Sequence, residues 1–311
     1  MRGVRACARG ALPRYPVRVL GSGPGVGHEA WLGLSEAWPW AALAAGTALA
    51  LLAAYWLVRR RLRRRPARLR RAGPRYPVVL AHGILGFDEI RIGRSRHGYF
   101  RGVSQRLEQE GCVVHTCRVA KTASIADRAA ELAAFVREIP ARRVNLVAHS
   151  MGGLDARYAL SKLGLSGKVA SLVTVGTPHQ GTPLADLGTQ GRVFAALGRL
   201  GVRMDAFHDL TTQRMDEFNA AVPDARGILY ASVVAAPAGR RDVSPLLVPT
   251  WVWLDRAAGA NDGMVPAASQ RWGEVAWHIR ADHLAQIGWS RRFDAAELYA
   301  QIARELRARG L

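Results

Sequence analysis

Val144-Asn145-Leu146-Val147-Ala148-His149-Ser150-Met151-Gly152 is the stretch that decides how this chain is read. The apolar run Val144 to Val147 reads as a buried strand, and Gly153 to Leu163 reads as a helix. Ser150 stands at the turn between them, with the small residues Ala148 and Gly152 two positions to either side. Where a strand turns sharply into a helix, larger side chains at those two positions are excluded and the serine hydroxyl is lifted clear of the sheet. That is the placement a nucleophilic serine needs. Glycine is commoner than alanine at position 148, and small-x-Ser-x-Gly also arises by chance in a buried turn, so the reading depends on partners elsewhere.

The partners follow in a fitting order. Upstream, Pro77-Val78-Val79-Leu80-Ala81 reads as a buried strand running into the loop His82-Gly83-Ile84-Leu85-Gly86, whose amides could face a developing negative charge. The amide of Met151 would be the second donor, because the residue after the nucleophile opens a helix with its N–H free. Downstream come Asn261-Asp262-Gly263-Met264-Val265-Pro266 and Ala281-Asp282-His283-Leu284, each after an apolar run. A hydroxyl becomes a nucleophile when a base takes its proton, and an imidazole serves when a carboxylate fixes its tautomer and stabilises its cation. Ser150, then an acid, then His283 is a workable order. Asp262, on a turn after an expected strand Val248 to Leu254, is favoured as the acid over Asp282, which would have to fold back on its own neighbour. His82 and His149 flank the site and are expected to shape it by hydrogen bonding to backbone. His97, His115, His179, His208 and His278 are expected to be ordinary core or surface residues.

Six ordered blocks resemble those of bacterial triacylglycerol lipases of the Pseudomonas and Burkholderia type: His82 to Gly86, Ala148 to Gly153, Gly176-Thr177-Pro178-His179-Gln180-Gly181, Leu210-Thr211-Thr212 with Phe218-Asn219, Asn261 to Pro266, and Asp282-His283-Leu284. The likeness covers about residues 76 to 290. It implies an α/β-hydrolase fold with Ser150 as nucleophile, Asp262 and His283 as its partners, and the amides of Ile84 and Met151 as the oxyanion hole. One departure matters. Where those lipases carry a calcium-binding carboxylate two residues after the histidine, this chain has Ala285, and Asp242 alone with a few carbonyls would hold a hard cation weakly. No calcium site, and no cofactor, is expected.

The remaining segments fit a doubly wound, mostly parallel sheet. Low-charge apolar runs recur at Val78 to Ala81, Cys112 to Val119, Val144 to Val147, Val169 to Val175, Ile228 to Ala235, Val248 to Leu254 and Val275 to Ile279, the pattern of strands covered on both faces. Ser124 to Ile139 is expected to be a helix with Ile125, Ala129, Leu132, Phe135 and Val136 on one face. A last helix should begin at Asp294, capped with Glu297, and run to about Arg309. Gly191 to Met204, with Val193, Ala196, Leu197 and Leu200 on one side, reads either as a mobile helical cap over the serine or as an ordinary surface helix.

The N-terminal quarter is different. Residues 38–58 are 21 uncharged residues with Trp38, Trp40, Tyr55 and Trp56 near the ends, long enough to span a bilayer. Residues 59–75 hold ten arginines and no acid. A charge block after the apolar segment favours an uncleaved anchor over a signal peptide, and places the arginines and the catalytic domain in the cytoplasm. The expected organisation is therefore a disordered tail 1–37, a transmembrane helix 38–58, an arginine-rich linker 59–75 that could rest on anionic headgroups, and a catalytic domain 76–311.

The net charge of +20 does not imply nucleic acid. Residues 1–75 contain fifteen arginines against two acids, so thirteen of those charges lie there and +7 remains for the rest. Three cysteines, with Cys112 and Cys117 in one apparent strand, make no disulfide framework. Together these features predict a membrane-anchored serine hydrolase that cleaves carboxylic, and especially lipid, esters through an acyl-enzyme. An acyltransferase or thioesterase on the same three residues, and an inactive hydrolase fold used for binding, are the alternatives.

Overall fold

The computed structural model describes residues 73–84, 90–92, 95–189 and 205–311. The expected tail, membrane span and cap helix, and all but the last residues of the expected linker, lie outside the described residues. The chain divides into two units, Met1–Ala67 and Arg68–Leu311, and the described residues all belong to the second.

Strands β1 (Val78–Ala81), β4 (Val114–Cys117), β5 (Val144–His149), β6 (Val169–Val175), β7 (Leu229–Ala235) and β8 (Glu274–Ile279) form one sheet in the order β4-β1-β5-β6-β7-β8, with every neighbouring pair parallel. Strands β2 (Ile90–Ile92) and β3 (Ser95–His97) make a separate antiparallel pair. Eight α-helices are described: α1 (Val103–Gln109), α2 (Ile125–Glu138), α3 (Gly152–Lys162), α4 (Pro183–Thr189), α5 (Asp205–Asp209), α6 (Thr212–Ala221), α7 (Val248–Ala258) and α8 (Ala295–Ala308).

Every residue of β1, β5 and β6 is buried because helices cover both faces of the sheet. Alternation along β1 sends Val78 and Leu80 into one apolar cluster with Leu107 of α1 and Leu298, Tyr299 and Ile302 of α8. Val79 and Ala81 enter the other, with Leu132 and Val136 of α2 and Ala156 and Leu160 of α3. The helix starts obey local chemistry. Ser124 Oγ accepts from the Asp127 amide at 3.2 Å, and Asp294 Oδ1 accepts from the Glu297 amide at 2.9 Å, each satisfying a donor that the first turn leaves unpaired. The strand order runs outward in opposite directions on either side of the β1–β5 boundary. The crevice at the carboxyl ends of those two strands, where an open α/β sheet forms its sites, is where Gly83 and Ser150 emerge.

Two expectations are corrected. Val248 to Leu254 is not a strand but most of α7. Pro249 sits in the first turn, where its missing N–H costs no intrahelical bond, whereas in a central strand it would remove a ladder bond. Only Leu254 of this helix is buried, so the apolar run does not mark a doubly covered strand, and an unbroken run of this kind has no period to separate the two. The second correction concerns localisation. Among the described residues no helix is long and apolar enough to cross a membrane. The longest, α2 and α8, have 14 residues each, about 21 Å against the roughly 30 Å of a bilayer core. This overturns the expected single-pass localisation with a cytoplasmic catalytic domain, and the segment 38–58 on which it rested lies outside the described residues.

Candidate active site

The turn at Ser150 is built by close packing. Its φ of 55° is the one positive value at a non-glycine position among the described residues, a backbone strain of about 1–3 kcal/mol that the surroundings must hold. The Ser150 amide donates to the Val175 carbonyl at 2.9 Å, and the Thr177 hydroxyl donates to the Ser150 carbonyl at 2.7 Å, pinning both sides of the strained residue. A Cβ on Gly152 would lie 2.7 Å from the His82 carbonyl oxygen, and one on Gly83 would lie 2.6 Å from Ser150 Cβ. Neither position can carry a side chain without moving the backbone.

Ser150, His283 and Asp262 come together. His283, in the loop after β8, places Nε2 3.0 Å from Ser150 Oγ, and its Nδ1 lies 2.7 Å from Asp262 Oδ2. The carboxylate is itself held. Its Oδ1 accepts from the amides of Met264 at 3.0 Å and Val265 at 2.8 Å, and its Oδ2 accepts from Gln286 Nε2 at 2.8 Å. The His283 amide donates to the Asp262 carbonyl at 2.8 Å, tying the two loops. Since Oδ2 faces Nδ1, that nitrogen carries the proton, and Nε2 is left as the acceptor toward the serine.

Asp282 is turned elsewhere. Its Oδ1 accepts from the Ala285 amide at 2.7 Å and its Oδ2 from the Ser244 amide, so it fastens the His283 loop to the segment after β7. Ala285 is buried, and among the described residues no three His, Cys, Asp or Glu side chains gather to hold a metal. The side chains present do not fit the calcium considered from the resemblance.

The loop after β1 is aimed by Arg128, a fully buried arginine on α2. Its Nη2 donates to the carbonyls of His82 at 2.8 Å and Gly83 at 3.3 Å, and its Nη1 donates to Ala120 O at 2.6 Å. His82 Nε2 accepts from the Val119 amide at 3.2 Å, leaving Nδ1 to donate to Gly83 O at 2.9 Å. With the Gly83 carbonyl drawn toward Arg128, the Ile84 N–H of the same trans peptide points the opposite way. The Met151 N–H, at the N-cap of α3, has no intrahelical acceptor. Arg128 is paired with Asp155 of α3 at 2.7 Å, both fully buried. Burial pushes the Asp155 carboxyl up, to about 7, against the pull of Arg128.

His82 thus bonds backbone as expected. His149 chiefly bonds a side chain: its Nδ1 lies 2.7 Å from the Tyr99 hydroxyl, and its ring centroid lies 4.6 Å from that of His283. Burial, and then the neighbouring His283, hold His149 well below the usual imidazole range. His179 is buried too, with Nε2 3.1 Å from Thr174 Oγ1. The remaining blocks frame the site: Thr182 Oγ1 donates to Met264 O at 2.7 Å, and Asn219 Nδ2 to His179 O at 2.8 Å. Sequence reasoning missed Arg128, Tyr99 and Gln286. For Arg128 there was a signal, a charge three residues from Ile125 on the apolar face of the expected helix. Gln286, three residues after His283, had only that spacing, and Tyr99 had none.

A family model described as a PGAP1-like alpha/beta domain matches residues 130–261. The chain is 30% identical over 288 residues to a triacylglycerol lipase of Vibrio cholerae, covering 76% of this chain and 89% of that one. It is 29% identical over 300 residues to a triacylglycerol lipase of Pseudomonas fragi, covering 76% and 98%. Among solved structures, the mature lipase of Bacillus licheniformis superposes with a TM-score of 0.60 at 25% identity, covering 75% of this chain and 92% of that one. A metagenomic carboxyl esterase superposes with a TM-score of 0.68 at 22% identity, covering 79% and 80%, a likeness of fold.

Proposed function

The chain belongs to the family of bacterial triacylglycerol lipases and is a carboxylic ester hydrolase, and from that premise we propose that it cleaves lipid esters through an acyl-enzyme on Ser150. The catalytic unit is residues 76–311. Ser150 Oγ attacks the ester carbonyl while His283 Nε2 takes its proton, and Asp262 orients the ring and stabilises the imidazolium. The amides of Ile84 and Met151 hold the oxyanion, each such donor lowering the barrier by ~3 kcal/mol. The tetrahedral intermediate collapses, the C–O bond breaks, and His283 returns the proton to the departing alcohol. Water then attacks the acyl group by the same route and releases the fatty acid.

The observation that carries this reading is the pair of contacts at 3.0 Å and 2.7 Å that join Ser150 Oγ, His283 and Asp262 Oδ2 into one hydrogen-bonded line. A fluorophosphonate probe should label Ser150 in the wild type, fail to label Ser150→Ala, and label His283→Ala at least a hundredfold more slowly. Equal labelling of the wild type and Ser150→Ala would overturn it. Turnover of p-nitrophenyl esters should rise from acetate to longer acyl chains, and a preference for acetate would remove the lipid from the assignment while leaving the ester.

A further inference from the structure

Behind the Ser150–His283–Asp262 line lie two buried polar atoms that complete no regular hydrogen bond, His149 Nε2 and Gln286 Oε1. They are chemically complementary, and Gln286 is among the groups that act on the His149 ring, although no bond between them is closed in this structure. The other end of each side chain is committed. The Gly83 amide donates to the Tyr99 hydroxyl oxygen at 3.2 Å, which leaves the one Tyr99 proton to be donated to His149 Nδ1 at 2.7 Å. His149 then carries its own proton on Nε2, with the Gln286 side chain and the His283 backbone as its neighbours. Gln286 Nε2 donates to Asp262 Oδ2 at 2.8 Å, the same oxygen that meets His283. Room for Gln286 is made by Gly176, at φ 58°, where a Cβ would fall 2.1 Å from Oε1. The bonds Gly83–Tyr99–His149 and Gln286–Asp262 run in one direction, and closing the His149 Nε2–Gln286 Oε1 contact would join them into a path that ends on the Asp262 carboxylate. Aligned bonds of this kind polarise one another.

We propose that Tyr99, His149 and Gln286 are positioning residues that couple the oxyanion loop to Asp262, the His149 Nε2–Gln286 Oε1 contact closing in the working enzyme so that Gly83 and Asp262 are set in register by one hydrogen-bonded chain. All three side chains are buried. The proposal rests on the ester-hydrolase reading given above. If the chain acts as a unit, cutting it at either end disables the same function, and the second cut adds little.

The test is a double-mutant cycle on the full chain with p-nitrophenyl butyrate, using Gln286→Met, which keeps length and loses both polar atoms, and Tyr99→Phe, which keeps the ring. We expect kcat to fall roughly tenfold in Gln286→Met and about threefold in Tyr99→Phe, with KM within about twofold of wild type. The double variant should stay within about twofold of Gln286→Met; independent effects would multiply to roughly thirtyfold. A thirtyfold loss, or a Gln286→Met variant as fast as wild type, overturns the proposal. A second readout needs neither turnover nor the variants' full stability. The downfield proton resonance of His283 Nδ1–H should move in both single variants, and a resonance unmoved in both overturns the chain even if the wild type turns over no ester. Wild-type inactivity with Ser150 unlabelled would instead count against the hydrolase reading alone.

Discussion

Arg128 offers the sharpest separation between holding the fold together and aiming the chemistry. Replacing it with methionine removes one side chain from two jobs. The first is the buried pair with Asp155, in which the two side chains are 0% and 2% exposed. Breaking such a pair leaves an uncompensated buried charge and costs about 3–5 kcal/mol, whereas replacing both partners with apolar residues is often close to neutral. The second is the grip on the carbonyls of His82 and Gly83 at 2.8 Å and 3.3 Å, which fixes where the Ile84 N–H points. Arg128→Met alone should therefore lose about 3–5 kcal/mol in urea unfolding, most of the net stability of an ordinary domain. The double variant Arg128→Met, Asp155→Leu should recover most of that loss. Catalysis should not recover. With the Gly83 carbonyl released, the Ile84 donor is partly lost from the transition state, and since a whole donor contributes ~3 kcal/mol, kcat of the double variant should remain about 10- to 100-fold down with KM nearly unchanged. Stability comes from chemical denaturation followed by tryptophan fluorescence, and kcat from steady-state turnover of p-nitrophenyl butyrate. A double variant that regained both stability and wild-type kcat would refute the assignment of Arg128 to the oxyanion loop.

Two more predictions follow from groups the fold has buried. Asp282 fastens the His283 loop through the amides of Ala285 and Ser244, so Asp282→Ala should cost about 1–3 kcal/mol by leaving those donors unpaired and lower kcat more than it changes KM; a variant with a normal unfolding midpoint in urea would show that the loop does not depend on it. Burial holds His149 and His179 well below their ordinary value of 6.5, so both are neutral when folded and take up protons below pH 6.5 only on unfolding. Their stabilisation is complete above that pH and declines below it. Asp155 opposes them: raised to about 7 from 3.8, it binds a proton in the folded state alone across the same window. Between pH 6.5 and 5.5 the two imidazoles take up on average about 1.5 protons on unfolding and Asp155 releases about 0.9, so unfolding free energy should fall by about 0.8 kcal/mol over that pH unit. In Arg128→Met, Asp155→Leu the opposing carboxyl is gone and the fall over the same pH unit should be about 2 kcal/mol. Equal slopes in the two proteins would show that Asp155 stays ionised beside Arg128.

How much of this was legible in the sequence depends on the distance over which each feature is decided. β1, β5 and β6 could be read because a strand buried on both faces has to be apolar at every position, a local demand. Ser150 could be read because the turn itself excludes large neighbours, which is why positions 148 and 152 hold Ala and Gly. Asp262 and His283 each sit in a short loop whose composition marks a turn, and chain order supplied the rest. Val248 to Leu254 was misread because an apolar run carries no period, and Pro249 was the one residue there with a bearing on the choice. The supporting bonds were not legible because they join residues far apart in sequence: Arg128 and Asp155 are 27 positions apart, and Tyr99 and His149 are 50. Nothing local requires a tyrosine at 99 or a glutamine at 286. What calls for the tyrosine is a buried imidazole at 149 whose Nδ1 needs a partner, and what calls for the glutamine is a carboxylate at 262 whose Oδ2 would otherwise meet His283 alone. Residues that do chemistry are therefore found from local constraint, and residues that hold them in place only after the chain has folded around them.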